Sequence, residues 1–249
     1  MQTAHKMQTP DHGPLRSCSR IALAVLLLAC GVARAAPSKG VSFKMVDQKH
    51  LPYPAKDRND LSVYCGGGKG VLIAPRWVLT ASHCITSRKQ KAGTVRVKFA
   101  NGKGKSVRIK VDKVARHGHK DLALLRLARP VKAAERSPLL LLREQLVAKD
   151  GLLRIKKVTG KTTWRNIPAR GKGDNLTVRK KEDRRGKAGS SGSPWVIHSR
   201  RVGDVLVGIT HGGGRAPQVA YGARWIEETV RTHSKDRLVW ATKRQTLGK

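Results

Sequence analysis

The sequence predicts an all-β fold, two small antiparallel barrels or a sandwich, closed by one helix near the C-terminus. From Val63 onward, short runs of β-branched and other apolar residues alternate with Gly, Lys and Asn turns. The clearest of these runs alternate apolar and charged residues with a period of two. Only one late stretch has helical spacing.

The elements follow in chain order. In "TVRVKF" (94–99), Val95 and Val97 alternate with Arg96 and Lys98. In "SVRIKVDKV" (106–114), Val107, Ile109 and Val111 alternate with Arg108, Lys110 and Asp112. One face of each strand meets a core and the other carries charge into water. Further strands are expected at "DLALLRL" from 121, "LLRIKKV" from 152, "NLTVRK" from 175, "SPWVIHS" from 193 and "DVLVGIT" from 204. In "ARWIEETVRTH", Trp225, Ile226, Thr229 and Val230 share one helical face, and Trp195 and Trp225 read as core. Neither an internal repeat nor a spanning segment is expected after the first 35 residues.

Those 35 residues read as an export signal. Arg16 and Arg20 precede the apolar run "IALAVLLLACGV", which is too short to anchor in a bilayer, and "ARA" before Ala36 is a cleavage site. A second reading makes "LLAC" a lipobox and Cys30 a lipid anchor. The product is expected to be periplasmic or secreted. Residues 36–62, with Pro37, Pro52 and Pro54 and no sustained period, read as an extended arm; 63–249 form the main domain, with an internal boundary near 130–150. Cleavage after Ala35 leaves Cys65 and Cys84, which in an exported chain most simply form one disulfide. A structural zinc site or a redox thiol at "SHC" fits less well, since no further Cys or His lies at short spacing from Cys84.

Charge is the outstanding compositional feature: 52 Lys and Arg against 16 Asp and Glu, a formal net charge of +36. The first 35 residues contribute four of these cations and one anion, net +3, so the remainder carries 36 less 3, or +33. Such a surface attracts nucleic acid, acidic polysaccharide or anionic lipid through counterion release.

Three stretches carry chemistry together. "TASHC" places His83 after a strand, "HKDLALLRL" places Asp121 at the start of one, and "AGSSGSP" places Ser191 in a Gly-rich turn. A serine hydroxyl needs an imidazole to remove its proton, and the imidazole needs a carboxylate to hold its tautomer and stabilise its cation. The order His, Asp, Ser and the strand after Ser191 exclude an α/β-hydrolase, which runs Ser, Asp/Glu, His through G-x-S-x-G. Asp112 and Asp150 are rivals to Asp121, but neither begins an apolar strand. His117 and His119 in "RHGHK" read as loop residues.

With "CGG" at 65, "LIAPRWVLTASHC" at 72–84, "DLALLRL" at 121–127, "GSSGSP" at 189–194 and "GITHGG" at 208–213, the sequence resembles the trypsin-like serine proteases of the chymotrypsin fold. The matches span roughly 150 residues in the family's order. The resemblance implies two six-stranded antiparallel β-barrels with a C-terminal helix, a monomer, no cofactor, no metal, and a protein or peptide substrate. It makes His83 the general base, Asp121 its orienting partner and Ser191 the nucleophile. The backbone N–H groups of Gly189 and Ser191 become the oxyanion hole, and Cys65–Cys84 the disulfide that staples the histidine loop.

The sequence departs from the animal digestive enzymes at two points. Ser190 stands where they have the aspartate that pairs with a new N-terminus, and no "IVGG" precedes Cys65, so activation by that ion pair is not expected. "GSSGSP" is closer to bacterial glutamyl-endopeptidase-like members. The pocket-floor position, six residues before Ser191, falls on Arg185 in the charged stretch "KKEDRRGK", and a cation there favours an acidic substrate side chain. Thr210 and His211 could also contact a carboxylate, although the glutamyl-specific pattern has its histidine one position earlier. Gly212 to Gly214 leave room for a substrate backbone to pair as an added strand. The rival reading is a cationic polyanion-binding protein on a weakly active or silent protease scaffold.

Overall fold

The computed structural model describes residues 63–65, 68–85, 96–100, 106–132, 138–158, 164–178, 190–212 and 214–248, all within the unit Phe43–Lys249. The export signal, Cys30, the arm, Arg185, Gly189 and the side chain of Cys65 lie outside the described residues.

The first barrel is closed and six-stranded. Its strands are β1 (Val63–Cys65), β2 (Gly68–Ala74), β3 (Trp77–Thr80), β4 (Arg96–Ala100), β5 (Ser106–Arg116) and β6 (Ala123–Leu127), in the order β1-β2-β3-β6-β5-β4, with β4 pairing back onto β1. The period of two is realised here: Val97, Ile109 and Val111 are buried while Arg96, Lys98, Arg108, Lys110 and Asp112 are exposed. β2 and β3 are buried along their whole length.

The second sheet holds β7 (Leu140–Leu142), β8 (Leu153–Val158), β9 (Trp164–Lys172), β10 (Asn175–Val178), β11 (Pro194–Ser199), β12 (Gly203–Ile209), β13 (Arg215–Pro217) and β14 (Trp240–Ala241). Six of them run antiparallel in the order β13-β10-β9-β8-β11-β12, and an antiparallel bridge from Gly208 in β12 to Gln218, next after β13, joins the two ends. A Cβ at Gly208 would stand 3.0 Å from the Pro217 carbonyl, so glycine permits this close approach. The expected two six-stranded barrels are therefore present. Beyond them, β7 pairs parallel with β12, and β14 parallel with β7, extending the second sheet to eight strands.

Helix α1 (Ala223–His233) buries Ile226 and Val230, as its spacing predicts, and leaves Trp225 half-buried. It is fastened to the first barrel: Trp77 Nε1 donates to Ser234 Oγ at 2.9 Å, Arg126 to the His233 carbonyl at 2.7 Å, and the Trp225 ring packs edge-on against His117 at 5.1 Å. The first core runs from Val71, Trp77 and Leu124 into Leu206, Ile209 and Ile226. The second, around Ile155, Ile167, Trp195 and Val205, fills the other barrel. A short helix α2 (Lys243–Leu247), capped by Thr242 and Gln245, follows β14.

Candidate active site

His83 sits in a tight helical turn, Ser82–Ile85, directly after β3. Arg116 at the end of β5 donates to the Ile85 carbonyl and ties that turn to the barrel. Asp121 lies in the loop between β5 and β6. Its Oδ1 accepts the His83 backbone N–H at 2.9 Å, and its Oδ2 meets His83 Nδ1 at 2.7 Å. The structure thus joins these two predicted residues directly.

A second imidazole converges on the same atom. His211 Nδ1 lies 2.5 Å from Asp121 Oδ2, and the His83 and His211 rings meet edge-on with centroids 5.5 Å apart. Partial burial alone raises the Asp121 carboxyl, but the hydrogen bonds from His211, the His83 amide and the His83 imidazole outweigh it and hold the group below the ordinary carboxylate range. An ionised carboxylate only accepts, so both histidines present an N–H on Nδ1. A His83 ring with its single N–H on Nδ1 carries its lone pair on Nε2, the form a general base requires.

Neither rival carboxylate reaches His83. Asp112 pairs with Arg126 at 2.7 Å, and Asp150 takes Lys243 and the Val147 N–H. His117 folds inward and accepts from the backbone N–H groups of His119 and Lys120. Lys120 pairs with Asp174 in the β9–β10 turn, so the loop that carries Asp121 is also held from the second barrel.

Ser191 is held by its main chain on both sides. Its carbonyl accepts the Lys69 N–H of β2 at 2.7 Å, and the next residue, Gly192, donates to the Thr210 carbonyl at 2.8 Å. Gly192 has φ +77°, and a Cβ there would stand 1.9 Å from the Lys69 carbonyl. Only glycine fits this turn. A Cβ at Gly68 would lie 2.7 Å from the Ser191 carbonyl and 2.5 Å from Cys84 Sγ, so the serine turn and the histidine loop abut the same residue.

Cys84 stands as a free, buried thiol; burial pushes it up to about 11, a Thr80 hydrogen bond offsets part of the rise, and the Asp121 charge adds to it. It is not a thiolate at neutral pH. Thr210 is buried, and its hydroxyl is engaged by Ser193 Oγ and Trp195 Nε1, each at 2.9 Å. Gly212 forms a tight bridge with Arg215. His211, a candidate for contact with a substrate carboxylate, bonds Asp121 and keeps its side chain 54% exposed. Sequence reasoning missed this partnership, whose members stand 90 residues apart.

A comparison with protein families finds that residues 45–186, more than half of the chain, match the Trypsin family. The chain belongs to the trypsin family. It is a serine-type endopeptidase, a hydrolase whose substrates are proteins or peptides. Within the trypsin family framework His83 and Asp121 fall inside the matched segment, whereas Ser191, Thr210 and His211 follow it.

Proposed function

We propose that this exported trypsin-family protease cleaves peptide bonds through His83, Asp121 and Ser191. His83 Nε2 takes the Ser191 proton as the hydroxyl attacks the carbonyl carbon, and Asp121 stabilises the imidazolium. The Gly189 and Ser191 N–H groups bind the oxyanion, whose charge appears only in the transition state. The imidazolium then protonates the leaving amine, and water releases the acyl group by the same steps in reverse. The observation that carries this reading is the 2.7 Å pairing of His83 Nδ1 with Asp121 Oδ2, beside a Ser191 turn anchored to β2.

Cys84 is a free thiol in the structure, and its oxidation with Cys65 to a disulfide in the exported chain belongs to the same proposal. Cys65 pairs across the β1–β2 hairpin with Gly68, which abuts the Cys84 sulfur. Arg185 supplies a preference for acidic side chains. Incubating the protein with a mixed peptide library tests these statements. Cuts after Asp or Glu that disappear in Ser191→Ala are expected; cuts persisting in the variant refute the nucleophile, and cuts after Lys or Arg refute the Arg185 assignment.

The net charge, +36 for the whole chain and +33 beyond residue 35, favours a second activity, tethering to a polyanion. On that reading the basic faces hold the enzyme on an anionic envelope, acidic polysaccharide or nucleic acid, near its substrates. A scaffold used for binding alone would need none of the three catalytic residues.

A further inference from the structure

We propose that His83, Asp121 and His211 form a zinc-binding site that switches the protease off. The switching rests on the protease reading above; the binding does not.

One ligand atom from each of these three side chains lies within 4.8 Å of the others. Both imidazole Nδ1 atoms address a single oxygen, Asp121 Oδ2, at 2.7 and 2.5 Å. Two imidazole nitrogens and one carboxylate oxygen form the ligand set of an open zinc site, with bonds of about 2.0–2.2 Å and a fourth position left for water. Tetrahedral ligands stand about 3.3 Å apart at such bond lengths, so both rings draw back from the carboxylate oxygen and their nitrogens close on each other from within 4.8 Å. Both side chains lie partly in solvent, 39% exposed for His83 and 54% for His211, which leaves room for that shift. The carboxylate itself is 16% exposed and stays anchored through Oδ1 by the His83 amide. The net charge of +36 opposes a dication at long range. That field is screened beyond about 10 Å at 0.1 M salt, whereas Asp121 acts at bonding distance.

Inhibition follows from the tautomer. In the resting site the His83 proton is on Nδ1 and the lone pair on Nε2. A zinc ion on Nδ1 needs the lone pair there, so that proton leaves to solvent while Nε2 takes one up, and the ring's proton count is unchanged. His211 makes the same exchange. Nε2 of His83 has then become a donor and cannot accept the Ser191 proton. The site was invisible locally because its members stand 38 and 90 residues apart.

Calorimetric titration of zinc chloride into the full chain carrying Ser191→Ala tests the site without any catalysis. One zinc ion should bind, and adding His211→Ala should weaken that binding about tenfold or more. His211→Gln, which can still hydrogen-bond Asp121 but offers no imidazole, should lose zinc equally, with thermal melts reporting that each variant is folded. With Ser191 present, zinc should slow fluorophosphonate labelling at a midpoint equal to the dissociation constant, and EDTA should restore it. Failure of the Ser191→Ala chain to bind zinc, or equal binding with and without His211, overturns the proposal. Binding as expected in a chain that never labels would leave the metal site standing and remove the protease reading.

Discussion

Asp121 is the residue on which the site converges, accepting three N–H groups from two histidines. Replacing it with Asn presents an N–H to His83 and favours the wrong tautomer, so kcat should fall roughly 10⁴-fold with the fold intact. Steady-state kinetics beside a thermal melt would check this. His211→Ala removes one of the three partners and should cost less. Gly192→Ala is a different kind of change. With φ at +77° and the Lys69 carbonyl in the way, it should destabilise the fold by about 2 kcal/mol or more in urea titration. The places of His83 after β3, Asp121 before β6 and Ser191 in a turn before β11 were legible because each stands beside a local strand or turn pattern. The His211–Asp121 bond could not, since no local pattern encodes a meeting of residues on different barrels.

At the scale of elements, the alternation of apolar and charged residues made β4 and β5 legible before any coordinates. β9 was not legible: "WRNIPARGK" has no period, and it contains Pro168 and Gly171. Its strand conformation is imposed by β8 on one side and β10 on the other. Gly171 also has a tertiary reason, because a Cβ there would stand 2.0 Å from the Leu146 carbonyl. That 146 segment is clamped by the buried Gln218, whose side chain accepts the Leu146 N–H at 2.8 Å and donates to the Leu146 and Gly173 carbonyls at 2.9 Å. Gln218→Ala strands those backbone groups away from water and should cost about 1–3 kcal/mol in denaturant unfolding. The parallel additions β7 and β14 also escaped sequence reading; each is three residues or fewer, and long-range pairing creates them.

At the level of the whole molecule, 52 Lys and Arg against 16 Asp and Glu predict attraction to polyanions. Retention on heparin should fall steeply with salt and be the same for Ser191→Ala as for the parent, measured by the eluting salt concentration. The few carboxylates set acid stability. Hydrogen bonds from His211, the His83 amide and the His83 imidazole hold Asp121 low against the opposing effect of burial. Asp150 is held low likewise by Lys243 and the Val147 N–H, and Asp174 chiefly by Lys120. Groups whose folded values lie below the unfolded 3.8 stabilise the fold above that value and lose the contribution as pH falls from there through the lower folded value. The melting temperature should therefore drop between about pH 5 and pH 2. Asp174→Asn should flatten part of that drop.

Every step of the proposed reaction depends on Ser191 being an activated nucleophile. The most direct measurement is to react the protein with a fluorophosphonate and locate the adduct by peptide mass spectrometry. A single adduct on Ser191, absent in Ser191→Ala and greatly slowed in His83→Ala, is the predicted result. A folded protein that remains unlabelled, or that carries its adduct on another residue, would contradict the account.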